Sequence, residues 1–431
     1  MFILAKMFGF HFMDGILLRN VMSDGRKCDI HIKGNIISDI APAGEAKVGE
    51  DVEIVDCSGK TALPGMVNMH THAAMTLLRG VGEDICFPEW IDRIWTEEEK
   101  IDEEYIYWAT KVACLEMAKT GTTTFLDQYW MAPAAEKAVQ ESGLRAVLSY
   151  VHLDHYDPVK SGLQRRECEA VYEASLSWPT TIGFSVAVHS VYSVSEQQIL
   201  WAAGFAADHG LKLNIHLCET EKEVSDCRAA HGMSPVRYLD SLGVLGPDVI
   251  AAHTLWLDDD DIRILAEKGV SCVHNINSNL KLASGYRFPY NELRDAGVNL
   301  CIGTDGCASS NNLDLLEAMK TAALVQKAWR NDPAAMPLEE LFAMSTANGA
   351  KALGLDSGIL RCGSLADIIL VDTGSSFFLS DAPFMANFIY SAHSDSVSSV
   401  ICDGKFVMRD RTVQGEHEIL AEAAKVLSKL K

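Results

Sequence analysis

The chain predicts a distorted (β/α)8 TIM barrel with a small β-sandwich domain built from its N- and C-terminal segments. Eight short β-rich runs alternate with amphipathic helical stretches through the middle of the sequence, which calls for a parallel sheet with crossover helices. Both ends share a different texture, of short strands separated by Gly and Asp. An open doubly wound sheet is the competing arrangement, but no G-x-G-x-x-G follows the first strands. The expected division is residues 1–63 for the first part of the β domain, 64–355 for the barrel, and 356–431 for the return to the β domain and a C-terminal helix.

Taken in order, residues 1–12 are apolar but lack the basic flank and small-residue cleavage site of a signal peptide, so they read as an extended start or a first strand. Runs at 15–18, 28–32, 35–40 and 52–55 then suggest antiparallel pairing, and runs at 366–372 and 397–407 match them, with Asp403-Gly404 as a hairpin signal. The eight candidate barrel strands are 66–70, 122–126, 145–151, 182–188, 212–217, 249–252, 270–274 and 298–302. Between them, 104–119, 195–208, 259–268 and 313–329 carry apolar residues at i, i+3, i+4 spacing.

Composition narrows the partner. There are 37 Lys and Arg against 59 Asp and Glu, a net charge of −22, which repels phosphate backbones and anionic membranes and points to a small molecule instead. No apolar run reaches the ~18 residues needed to cross a bilayer. The twelve cysteines sit in apolar runs with no C-x-x-C pair, and read as reduced packing residues of a cytoplasmic protein.

The chemistry gathers around Pro64-Gly65-Met66-Val67-Asn68-Met69-His70-Thr71-His72. On a strand, residues i and i+2 share a face, so His70 and His72 can close on one ion. His216 ends the fifth run, His253 follows the sixth and Asp305 follows the eighth. In a barrel all five lie at the C-terminal mouth, where such folds keep their active sites. His70, His72, His216 and Asp305 are therefore read as metal ligands. Nitrogen donors with one carboxylate suit Zn2+ first and Fe2+ or Mn2+ second. No lysine lies along 182–190 to be carboxylated and bridge two ions, so one divalent metal ion is expected.

These residues, with His216-Leu217-Cys218-Glu219-Thr220, Ala252-His253, the 278–285 segment and Gly303-Thr304-Asp305-Gly306, resemble the amidohydrolase superfamily. The 74–80 segment, Trp90, Ile94-Trp95 and 280–285 resemble its 5′-methylthioadenosine/S-adenosylhomocysteine deaminase branch. The resemblance implies hydrolytic deamination of an adenosine-type nucleoside, with release of ammonia. It assigns Glu219 to protonation of the ring nitrogen, Asp305 to acceptance of the water proton and His253 to orientation of the nucleophile, while the metal brings its water to a pKa near ~7. It also implies a homo-oligomer, a dimer or tetramer.

Substrate contacts follow from the same resemblance. His189 corresponds to a purine contact, and Glu98 to the carboxylate that holds ribose hydroxyls, although Thr96 stands where that branch has proline. Trp90 and Trp95 would wall the nucleoside. A homocysteine carboxylate requires a cation, best a bidentate arginine, and Arg165 and Arg166 fall in the right interval. If neither reaches the pocket, methylthioadenosine or adenosine is favoured. The alternatives are a deaminase of another aminated heterocycle, of guanine, pterin or triazine type, and a catalytically silent scaffold, which should have lost ligands or the acid. Glu219, Glu221 and Glu223 also fit a solvated acidic helix start, and Asp258 to Asp261 an N-cap and first turn facing water.

Overall fold

A computed structural model describes residues 15–429, so the expectation for residues 1–12 lies outside the described residues. The described residues open with β1 (Gly15–Ser23), β2 (Arg26–Lys33), β3 (Ile36–Pro42), β4 (Val52–Asp56) and β5 (Lys60–Pro64). β5 was not expected. It reads as the lead-in to the barrel, yet it pairs antiparallel with a strand from the far end of the chain.

The barrel follows, as β6 (Met66–Thr71), β7 (Thr122–Asp127), β8 (Arg145–His152), β9 (Ile182–Val188), β10 (Leu213–Leu217), β11 (Val249–His253), β12 (Ser271–His274) and β13 (Asn299–Ile302). Neighbours are parallel and in chain order. Almost every residue of these strands is buried, which is why they read as short continuous apolar runs rather than as alternating ones. The helix Glu103–Thr120 is delimited by Asp102, whose side chain accepts from the Tyr105 amide, and by Gly121 in the left-handed region.

Between β6 and β13 the barrel closes by hydrogen bonds at its mouth. The amides of Thr304 and Asp305 donate to the His70 carbonyl at 3.2 and 3.0 Å, and Asn68 Nδ2 donates to Thr304 Oγ1 at 2.7 Å. Gly303 is required there: a Cβ would stand 2.8 Å from the His70 carbonyl oxygen. The same seam thus sets the distance from His70 to Asp305.

After the barrel, β14 (Ile368–Asp372), β15 (Val397–Cys402) and β16 (Lys405–Met408) return to the first sheet. Its order is β16-β15-β14-β5-β1-β2-β3, with β4 branching from β1, so both chain ends build one mixed sheet. Asp403 and Gly404 both have positive φ, as the tight β15–β16 turn requires. Leu18, Ile30, Ile32, Ile368, Leu370 and Ile401 form its core. A buried ion pair fastens it to the barrel: Arg145 Nε on β8 lies 3.2 Å from Asp367 Oδ2, and Arg145 Nη2 lies 3.1 Å from Asp403 Oδ1.

All twelve cysteines are free, and ten are buried; Cys86 and Cys362 are exposed. Asp258 caps the helix Asp259–Lys268 in a capping box with Asp261, as expected. Only part of that acidic run faces water, however. Asp261 is fully buried and accepts from Ser234 Oγ at 2.5 Å. Among the described residues no helix is long and apolar enough to cross a membrane.

Candidate active site

β6 delivers His70 and His72, β10 delivers His216, β11 delivers His253, and Asp305 follows β13, so five side chains meet at the C-terminal ends of the strands. One donor atom from each of His70, His216, His253 and Asp305 lies within 4.8 Å of the others. His72 joins from one side, with Nε2 at 3.1 Å from Asp305 Oδ1 and 3.3 Å from His216 Nε2. The geometric quartet therefore contains His253 where the sequence reading has His72, and both imidazoles border the same point.

The nitrogen chemistry fits a cation. His72 Nδ1 lies 2.6 Å from the Gln128 carbonyl, and His216 Nδ1 lies 2.8 Å from the His189 carbonyl. A carbonyl only accepts, so both Nδ1 atoms carry hydrogen, and in the neutral rings the two Nε2 atoms turn lone pairs toward each other. Such facing lone pairs are repulsive unless a cation lies between them. His70 Nε2 is buried with no hydrogen-bond partner, as a ligand nitrogen would be. This buried histidine and aspartate group is suited to a divalent metal.

Electrostatics agree with that arrangement. Burial, then the neighbouring imidazoles, pushes the His216 pKa well below its ordinary value, which keeps the ring neutral. Burial alone would raise the Asp305 carboxyl, but the adjacent His70 and His72 imidazoles outweigh it and hold the group well below the usual carboxylate range. Asp305 Oδ2 also accepts from Ser278 Oγ at 2.5 Å and from Ser309 Oγ at 3.0 Å, which fixes the plane of the carboxylate. Neither serine was singled out in the sequence.

Glu219 stands beside this group, 7% exposed, with Oε2 3.8 Å from His253 Nε2. Its pKa is driven well above the carboxylate range by burial and then by Asp305 and Glu223. On the far side of His253, Asn279 Nδ2 lies 2.9 Å from Nδ1 and fixes the ring. The solvated reading of the acidic run is thus wrong for two of its three members: Glu221 is exposed, whereas Glu219 and Glu223 are buried.

One pocket contains Glu219, His253, Asp305, His72 and His216 together with His189, Glu98, Trp90 and Trp95. Phe87, Ile91, Ile94, Trp130 and Leu282 extend its apolar wall. The helix Phe87–Glu98 forms one side of it, held by Trp90 Nε1 donating to the Ala308 carbonyl at 3.3 Å. Glu98 accepts from Tyr129 Oη at 2.7 Å, and burial lifts its pKa to about 7. His189 Nδ1 lies 2.7 Å from Ser193 Oγ, with its pKa pushed down to about 3 by burial and by His72, His155 and His253. Tyr129, Gln128 and Tyr192 also line the pocket and had not been identified; no spacing pattern distinguishes them from packing residues.

Arg165 and Arg166 are corrections. Neither lines the pocket. Both lie on the helix Pro158–Ser175, where Arg165 donates to Gln198 Oε1 at 2.8 Å and to the Gln197 carbonyl at 3.1 Å, with its guanidinium over the Trp201 ring. It ties two outer helices together. Among the described residues, the pocket lining contains no lysine or arginine.

With this geometry established, comparison with known proteins gives a consistent answer. The amidohydrolase family matches residues 61–407. The chain belongs to the amidohydrolase family. This amidohydrolase is 44% identical over 423 residues to the 5′-deoxyadenosine deaminase of Methanoregula boonei, covering 96% of this chain and 95% of that one. It is 41% identical to the 5-methylthioadenosine/S-adenosylhomocysteine deaminase of Thermococcus sibiricus, covering 89% and 90%. Among solved structures, an adenosine deaminase from Xanthomonas campestris with bound zinc superimposes with a TM-score of 0.88 at 29% identity, covering 96% of this chain and 98% of that one. An atrazine chlorohydrolase from Arthrobacter aurescens has the same TM-score at 22% identity, a likeness of fold.

Proposed function

We propose that this protein is a metal-dependent aminohydrolase that converts an adenosine-type nucleoside to its inosine analogue and ammonia, and that it favours a small apolar 5′ group. The observation that carries the reading is the buried Glu219 carboxyl, its pKa raised by burial, standing beside the His/Asp group and opening into the same pocket. Relatives across most of the chain act on adenosine-type nucleosides by name, which supports the same substrate class.

His70, His72, His216 and Asp305 would hold the ion. Zinc is the first choice for this donor set and is the ion bound in the Xanthomonas campestris deaminase. When bound, such an ion supplies Lewis acidity and makes a water molecule far more acidic. Glu219 donates its proton to the ring nitrogen adjacent to the amino-bearing carbon, so that electron density from the addition of water has somewhere to go. Asp305 accepts the proton that water gives up, and His253 orients the incoming oxygen. Asp305 passes that proton to the amino group, which leaves as ammonia, and the new hydroxyl returns a proton to Glu219 as the ring carbonyl forms. Glu98 faces the ribose hydroxyls, His189 the purine, and Trp90 with Trp95 the apolar 5′ side.

Selectivity follows from what the lining lacks. A homocysteine tail carries a carboxylate and an ammonium, and burying that carboxylate without a cationic partner is costly. A methylthio or plain methyl group meets only apolar wall. The test is ammonia release over a panel of 5′-deoxyadenosine, methylthioadenosine, adenosine, S-adenosylhomocysteine, guanine, pterins and triazines. The reading expects kcat/KM for the first two to exceed that for S-adenosylhomocysteine by about tenfold or more. No turnover of any adenosine-type nucleoside would overturn the function, and a preference for S-adenosylhomocysteine would overturn the selectivity.

A further inference from the structure

The turn that carries Glu219 is strained and buried. Cys218, fully buried, has φ of 53°, in the left-handed region that a side chain with a Cβ disfavours. It lies between His216 at the end of β10 and Glu219, so this one residue redirects the chain from the strand into the pocket. Something must hold the conformation. The Glu223 carboxylate does so on one side: Oε1 accepts from the Cys218 amide at 2.9 Å, and Oε2 accepts from the Glu219 amide at 2.8 Å. On the other side the Cys218 carbonyl accepts from the amides of Leu255 and Trp256, both at 3.1 Å.

Glu223 is placed there by its own helix. It is the third residue of the helix Glu221–His231, and its amide is capped by Thr220 Oγ1 at 3.0 Å. In an ordinary capping box the glutamate would turn back to the N-cap amide. Here the carboxylate extends to the two preceding amides as well. It is 3% exposed and lies outside the pocket lining, so it can act on substrate only through Glu219.

We infer that Glu223 is a positioning residue: its two carboxylate oxygens fix the backbone of Cys218 and Glu219 so that the Glu219 carboxyl stands over the reacting ring. This rests on the proton-donor role of Glu219 given above. Displacing a reacting group by about 1 Å costs on the order of 100-fold in rate. Replacing the carboxylate by an amide puts an N–H donor against one backbone N–H and breaks one of the two contacts.

The test is a double-mutant cycle in the metal-loaded enzyme with E219Q, E223Q and E219Q/E223Q. E223Q is expected to lower kcat about 10- to 100-fold, with KM and metal content within about twofold of the parent. In the E219Q background the same change is expected to cost less than about twofold, because the group it positions no longer transfers a proton. A purely structural role would lower the residual rate equally in both backgrounds, and that result would overturn the inference. So would an E223Q enzyme with full kcat. Should E223Q fail to fold, the cycle is run with E223D, which keeps the charge and withdraws the oxygens by one methylene; full kcat in E223D would likewise overturn it. Should E219Q itself keep full turnover, the role of Glu219 fails first, a result distinguishable from the failure of Glu223 alone.

Discussion

Glu219 Oε2 lies 3.8 Å from His253 Nε2, so the raised carboxyl and the imidazole border the same small volume above the His/Asp group. In the proposed mechanism these two groups are the proton donor and the ring that orients the nucleophile. The first expectation follows from this relationship. E219Q should retain its metal and lose about 10²- to 10⁴-fold in kcat, since only the proton transfer is removed. Steady-state ammonia release with metal analysis of the same sample checks it, and an unchanged kcat would remove Glu219 from the mechanism.

Asp305 sits at the barrel seam and serves several partners. D305A should lose both the metal and the activity, because the carboxylate faces His70 at 3.4 Å and His72 at 3.1 Å while accepting two serine hydroxyls. The buried hydroxyls of Ser278 and Ser309 would lose an acceptor, a further cost of about 1–3 kcal/mol each in stability. Metal stoichiometry and thermal melting report the two effects separately. A D305A protein with full metal content would mean that His253 rather than Asp305 completes the ligand set.

Glu98 gives a pH dependence. Its pKa is about 7 in the folded protein, raised by burial from an ordinary value of 4.5. The folded state thus binds this proton more tightly than the unfolded chain, so the contribution is present below about pH 4.5 and is lost as pH rises through about 7. E98Q should therefore lose less stability than the parent between those limits, while its KM rises about tenfold from loss of the proposed ribose contact. Melting temperatures across that range and steady-state kinetics are the measurements. Parallel melting curves for the two proteins would contradict the burial of an ionisable carboxyl there.

At the junction of the two units, R145A should destabilise the protein by about 3–5 kcal/mol, because it leaves the buried Asp367 carboxylate without its charge partner. Denaturant unfolding measures the change. A loss below about 1 kcal/mol would show that the barrel and the terminal sheet are joined mainly by apolar packing.

Which of these features the sequence disclosed depends on how local their causes are. The eight barrel strands were legible because each is buried on both faces and so reads as an unbroken apolar run between helical periods. β5 was not, because Lys60-Thr61-Ala62-Leu63-Pro64 has no pattern of its own and is a strand by pairing with β14, about 300 residues away, and with β1. His70 and His72 declared themselves by strand spacing, and Glu219 by the family resemblance of the His216-Leu217-Cys218-Glu219-Thr220 segment. Arg165 was misjudged because the direction of a helical side chain depends on its neighbours, here Gln198 and Trp201 on the next helix. Thr220-x-x-Glu223 does carry a capping signature, which marks a helix start but says nothing of where the carboxylate will reach.

The central claim is that His70, His72, His216 and Asp305 hold one divalent ion on which deamination depends. The direct measurement is ammonia release from 5′-deoxyadenosine by the purified protein as isolated, after exhaustive chelation and after reloading, with metal quantified in each sample. The account predicts about one ion per chain, loss of turnover in step with loss of the ion, and recovery on adding zinc. Undiminished ammonia release from protein shown to be metal-free would contradict it.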